Sequence, residues 1–197
     1  MNLTCVATFA FALAASALAA QAAEEKIVFV RHGEKPDRGL GQLNCRGLNR
    51  ALALPGFFVK TFGKVDAIFA PNPAVQKGDR GVDFDYVRPL MTVEPTAVAL
   101  GLPVHTHFGF DDAKGLKAAL TAPDYANATI VVGWEHKVID ELARDLLAAH
   151  NGDPKQVPAW SDDDFDGVYV VTLPSNGPAR FQRLTEGLDG QPEGCAR

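Results

Sequence analysis

The chain has 197 residues with 24 acidic and 19 basic side chains, a formal charge of -5, and no charged side chain before Glu24. A mildly acidic chain without basic clusters lacks the electrostatic footprint of a protein that binds nucleic acid or an anionic membrane. Recognition of a phosphorylated ligand would therefore have to be local.

The apolar, alanine-rich run from Leu3 to Ala20 leads into Ala20-Gln21-Ala22, a small-x-small cleavage pattern. Residues 1–22 read as a secretory signal peptide, which predicts a secreted or periplasmic protein with no stable membrane association after cleavage. Residues 23–197 are enough for one core and too few for two ordinary domains. Cys45 and Cys195 fall in this part. Export permits a disulfide between them, but their separation gives no geometric evidence of one, and the oligomeric state is equally open.

Lys26-Ile27-Val28-Phe29-Val30 is a short apolar run that suits a strand covered on both faces. It ends in Arg31-His32-Gly33-Glu34-Lys35-Pro36, where glycine and proline punctuate the chain. Asn44 predicts a helix cap, with the helix running to Leu54 and broken or restarted at Pro55. A second strand is expected over 65–70. Residues 71–86, rich in Pro, Gly and Asp, read as a long loop without periodicity. A helix over 90–100 closes at Gly101, a short strand follows over 104–108, and an amphipathic helix covers 112–122. Ala128 to Gly133 is another continuous apolar strand, followed by a helix over 138–150. Strands over 168–173 and 179–184 end the pattern. Strands alternating with helices predict an α/β three-layer sandwich, with a mostly parallel central sheet and helices on both faces.

In open sheets of this kind, ligands bind outside the carboxyl ends of the strands. Arg31 and His32 are expected there. Gly133-Trp134-Glu135-His136 repeats the logic, with an imidazole just past a buried strand. Arg88 follows the long loop and opens a helix. Three strand ends thus deliver two arginines and two histidines to one edge.

With these residues in place, the chain resembles the histidine phosphatase (phosphoglycerate-mutase-like) superfamily. The hallmark Arg-His-Gly is matched by Arg31-His32-Gly33, the second arginine by Arg88 and the second histidine by His136. The Thr96-Ala97 pair and Leu100-Gly101-Leu102-Pro103 are similar to the family's following helix. Arg88 lies farther before Thr96 than the family's spacing, which leaves Arg80 as the alternative. The resemblance implies hydrolysis of a small phosphorylated substrate through a phosphohistidine on His32, without a metal ion or cofactor. A phosphomutase and a catalytically silent phosphate-binding or scaffold protein are the rival readings. Arg31, Arg88, His136 and Glu34 are expected around the phosphate. The proton donor is open among Asp111, Asp112, Glu34 and Glu135, with Asp111 first and Glu135 second.

The residues support this chemistry independently. A neutral imidazole can attack phosphorus and split one difficult displacement into two. Guanidiniums offer forked donors to phosphate oxygens. A carboxylic acid can protonate the departing alkoxide. Other patterns point nowhere comparable. Asp162, Asp164 and Asp166 open like a calcium loop, but Leu173 stands where a bidentate carboxylate is required, so the segment reads as a solvated turn. His105 and His107 are two possible ligands without a third and read as a polar strand face.

Overall fold

The computed structural model describes residues 24–195; the expected signal peptide lies outside them. Ile27, Val28, Phe29 and Val30 are wholly buried in the first strand, β1 (Glu24–Arg31). Side chains alternate across a strand, so Ile27 and Phe29 enter one core while Val28 and Val30 enter the other. This requires a layer of helices on each side.

Those layers are α1 (Cys45–Phe62) and α2 (Arg88–Leu100) on one face, and α3 (Ala113–Leu120) and α4 (His136–Ala149) on the other. The remaining strands of the central sheet are β2 (Ala67–Phe69), β5 (Val104–His105), β6 (Thr129–Trp134), β7 (Gly167–Pro174) and β8 (Arg180–Thr185). Their order is β5-β2-β6-β1-β7-β8, parallel from β5 to β1, with β7 antiparallel to both β1 and β8. The mostly parallel α/β sandwich expected from the sequence is therefore present.

Two local expectations need correction. Pro55 does not break the first helix, which continues to Phe62. Leu54 and Phe58, one turn apart, are both fully buried against the sheet. Burial of two such side chains, about 2–3 kcal/mol each, offsets the roughly 3 kcal/mol that an interior proline costs. The segment over 71–86 is not structureless either. It carries a hairpin of β3 (Lys77–Asp79) and β4 (Val82–Phe84), turned at Arg80-Gly81 with positive φ at both residues.

The turn after β1 is held from behind. A Cβ on Gly47 would stand 2.4 Å from the Glu34 carbonyl oxygen, so only glycine lets the first turn of α1 lie against residues 33–34. One turn further along, Arg50 is fully buried. Its Nε and Nη2 donate to Glu34 at 3.1 and 2.8 Å, Nη1 to Asp166 and Glu186 at 3.1 and 2.7 Å, and Nη2 to Asp189 at 2.9 Å. This guanidinium ties α1 to the post-β1 turn, the loop before β7 and the chain after β8. Without it, buried carboxylates would face one another. A disulfide joins Cys45 to Cys195 with Cα atoms 4.6 Å apart, fastening the end of the chain to the start of α1.

At the opposite end of β1, Glu25 is 7% exposed and its Oε1 has no partner among the described residues. Burial raises its pKa from 4.5 to about 7. Below its ordinary value the side chain is neutral in both folded and unfolded states, and stability is complete. As pH rises through about 7, the folded state must hold a buried charge and stability is lost. Glu25→Gln should therefore match the wild type at low pH and exceed it above about pH 8, by on the order of 1–3 kcal/mol in urea unfolding. A difference that does not change with pH would contradict this.

Candidate functional site

The carboxyl ends of β1 and β6 are neighbours, since Arg31 and Trp134 are paired across the sheet. The pairing runs one residue further, His32 N–H donating to the Trp134 carbonyl at 3.1 Å. Residues 32 and 135–136 therefore leave the sheet side by side. The third wall is the start of α2. It approaches closely because residue 133 is glycine: a Cβ there would meet Val93 Cγ1 at 2.5 Å and the Pro89 carbonyl at 3.1 Å. Thr92 locks the two walls, accepting from Gly33 N–H at 2.9 Å and donating to the Arg88 carbonyl at 2.8 Å.

The result is a cleft of about 310 Å³ lined by Arg31, His32, Arg88, Glu135 and His136, together with Lys35, Lys77, Asp79, Tyr86 and Asp162. His32 forms its floor, only 4% exposed. Its Nδ1 lies 2.8 Å from the Gly33 carbonyl, an oxygen that can only accept. Nδ1 therefore carries the proton, and Nε2 keeps its lone pair. Burial, reinforced by the charges of Arg88 and Arg31, lowers the His32 pKa to about 3. The imidazole is neutral at any physiological pH.

Arg31 is held by Nη1, which donates to the carbonyls of Asp162 and Asp164 at 2.7 and 3.0 Å, and its guanidinium stacks 4.0 Å from the Phe165 ring centroid. Its buried Nε has no partner among the described residues. Arg88 donates from Nη2 to Asp79 Oδ2 at 2.7 Å and lies over the Tyr86 ring, 4.9 Å from its centroid. Among the described residues its buried Nε and Nη1 have no hydrogen-bond partner of good geometry, nor does the Tyr86 hydroxyl beside it. Buried donors without acceptors are costly, so such a cluster calls for an anion. Arg80, the alternative second arginine, is exposed at the hairpin turn and does not line the cleft.

His136 stands between two carboxylates, with Nδ1 3.0 Å from Glu135 Oε1 and Nε2 2.7 Å from Asp162 Oδ1. The Glu135 carboxylate also caps α4, accepting from Lys137 and Val138 N–H at 3.1 and 3.2 Å. Burial pushes its pKa up, but His136, Lys77 and the Val138 amide outweigh burial and hold it at about 2. Glu135 is thus a fixed anion.

Two sequence expectations are corrected here. Glu34 does not face the cleft; its carboxylate is turned to Arg50, because a buried guanidinium needs it more than an open site does. Asp111 is exposed and outside the cleft, its Oδ1 folded back over Gly109, and Asp112 caps α3 through Gly115 N–H. His105 and His107 do not line the cleft either. Sequence reading passed over Lys77, Asp79 and Tyr86, which lie in the segment read as a loop. It also took Asp162 for part of a solvated turn, although that loop wraps the Arg31 guanidinium. Only the unexplained length of the 71–86 segment signalled a functional rim.

No family model matches the chain and no curated protein matches it by sequence. Solved structures do match in shape. The protein histidine phosphatase SixA, in complex with tungstate, superposes with a TM-score of 0.58 at 16% identity, over 82% of this chain and 97% of that one. Phosphoglycerate mutase from Plasmodium falciparum gives 0.54 at 13% identity, over 83% and 91%. Mycobacterial glucosyl-3-phosphoglycerate phosphatase gives 0.53 at 14% identity, over 82% and 97%. The chain shares its overall fold with these three proteins.

If the unpartnered donors of Arg88 are aimed at an anion, Arg88→Ala should weaken inorganic phosphate binding by roughly tenfold or more, as expected for loss of a charge-assisted donor pair. Arg80→Ala should bind like the wild type. Calorimetric titration of the three proteins decides between them, and equal effects of both substitutions would contradict the assignment.

Proposed function

We propose that this protein is an exported phosphatase, with a cleaved segment over 1–22 and a catalytic domain over 23–197, that hydrolyses phosphomonoesters through a phosphohistidine on His32. The carrying observation is the state of His32: neutral, buried, with Nδ1 committed to Gly33 and Nε2 unprotonated beside two guanidiniums with unpartnered donors. The shared fold with SixA, whose structure contains tungstate, and with a glucosyl-3-phosphoglycerate phosphatase supports the same reading. The disulfide suits an oxidising compartment and so favours export.

In this reading the phosphate enters with its oxygens toward Arg31 and Arg88. Nε2 of His32 attacks phosphorus, and the bond to the leaving oxygen breaks with its electron pair. The guanidiniums are already in place and face charge that redistributes over the phosphoryl oxygens, so no reorganisation is required. Glu135 Oε1 lies 3.0 Å from His136 Nδ1 on one side. The other imidazole nitrogen is engaged by Asp162, whose side chain is 77% exposed and free to swing aside when an anion competes. Water then attacks the phosphohistidine, the N–P bond breaks, and the lone pair returns to Nε2. The cationic residues supply the charge stabilisation that a metal ion supplies in other phosphatases.

Rapid quenching during turnover should trap phosphate that is labile to acid and stable to base, and it should be absent in His32→Ala. That variant should remain folded, because His32 lies outside both hydrophobic cores. Exhaustive chelation should leave the rate unchanged. Label on serine or aspartate, or loss of activity on chelation, would contradict the mechanism. Phosphate binding without turnover would point to a silent binding protein.

A further inference from the structure

Among the described residues, no carboxylic acid lining the cleft is free to protonate a leaving group. Glu135 is held ionised at about 2. Asp79 is shared between Lys35 at 3.0 Å and Arg88 at 2.7 Å, and these partners keep its carboxyl below the ordinary range against the opposing effect of burial. Asp162 is lowered by its hydrogen bond to His136. Asp111, Asp112 and Glu34 are outside the cleft. Burial raises the Tyr86 phenol, so that it releases its proton poorly.

One proton-bearing group remains uncommitted. Lys77, on β3 of the hairpin, reaches the cleft with its Nζ 4.3 Å from the Phe110 ring centroid and 5.4 Å from that of Tyr86. Among the described residues Nζ has no hydrogen-bond or ion-pair partner. Phosphorus must sit between His32 on the floor and whatever leaves, so the leaving oxygen points away from the floor toward the remaining lining residues, Lys77 among them. From this geometry we infer that Lys77 is the proton donor to the leaving group. The inference rests on the phosphatase reading above and completes its proton balance.

As the P–O bond breaks, the departing oxygen takes the proton from Nζ and leaves as an alcohol, with a neutral amine behind. The amine then removes a proton from the water that attacks the phosphohistidine, which restores the ammonium. No other reactant is needed. Charged groups on both sides of the cleft and beyond its rim act on Nζ. Glu135 and Asp111 favour the ammonium, Arg88 and Lys137 oppose it, and burial, the largest effect, lowers its pKa below that of a free lysine. An ammonium on two aromatic faces with a lowered pKa is a better acid than a solvated one, yet stays charged on the ring quadrupoles.

Protonation matters when the leaving group is a basic alkoxide and little when it is a nitrophenolate. Purified wild type, Lys77→Met and Lys77→Arg would be compared on glycerol phosphate and nitrophenyl phosphate. Lys77→Met should lose about a hundredfold in kcat on glycerol phosphate and less than about fivefold on nitrophenyl phosphate. Arginine keeps the charge but does not give up a proton, so Lys77→Arg should not restore alkyl phosphate hydrolysis. The alkaline limb of the wild-type kcat profile on glycerol phosphate, set by Lys77, should vanish in both variants. Equal losses on the two substrates, rescue by arginine, or no loss would overturn the assignment and make Lys77 an electrostatic or packing residue. In those cases nitrophenyl phosphate turnover that still depends on His32 leaves the phosphatase reading standing. A wild type inactive on both substrates overturns the reading and this inference together.

Discussion

The hydrogen bond between His32 Nδ1 and the carbonyl of the next residue, 2.8 Å long and closed to water, decides the state of the imidazole at the centre of the cleft. Because that carbonyl can only accept, the proton stays on Nδ1 and the lone pair stays on Nε2. Burial and two neighbouring guanidiniums make a second proton expensive. The same cations that would repel an imidazolium attract a phosphate dianion. In the proposed reading one arrangement serves two ends: it keeps the nucleophile unprotonated and gathers the group it attacks. This also explains how an acidic protein can handle a phosphorylated ligand, since the attraction acts over a few ångströms rather than across the surface.

Most of the surrounding structure holds that arrangement still. The guanidinium of Arg31 is fixed by carbonyls more than a hundred residues away and by Phe165. Asp79 fixes one nitrogen of Arg88 and leaves the others unpartnered, so the cation is oriented without being wholly consumed. Behind the floor, Arg50 gathers Glu34, Asp166, Glu186 and Asp189, and the disulfide fastens the chain end close by. These groups touch no part of the cleft, but the turn bearing His32 leans on them through Gly47 and Glu34.

The strand-to-turn residues were legible in the sequence because local pattern places them. A buried strand ending in Arg31-His32, and another ending in Glu135-His136, reach the same edge in any parallel sheet. What was not legible depends on distant pairing. The β3 and β4 strands are three residues each, too short for alternation to show, so Lys77, Asp79 and Tyr86 were hidden in an apparent loop. The 161–166 segment has a solvated composition, and its role emerges only once Arg31 lies beneath it. Glu34 was misplaced because adjacent side chains diverge, and its true partner, Arg50, carries no signal of being buried. Asp111 was placed by its position between a strand and a helix, which fixes a backbone location but not the direction of a carboxylate.

The central claim is that His32 is a neutral, Nδ1-protonated imidazole with a free Nε2. Two-bond nitrogen–proton correlation NMR of the histidine-labelled protein reads this directly, since the two ring nitrogens of each tautomer have distinct shifts. The account predicts that His32 shows one pyrrole-like Nδ1 and one pyridine-like Nε2, unchanged between about pH 5 and pH 8, with Nε2 shifting when inorganic phosphate is added. An His32 that titrates in that range, or that carries its proton on Nε2, would contradict it.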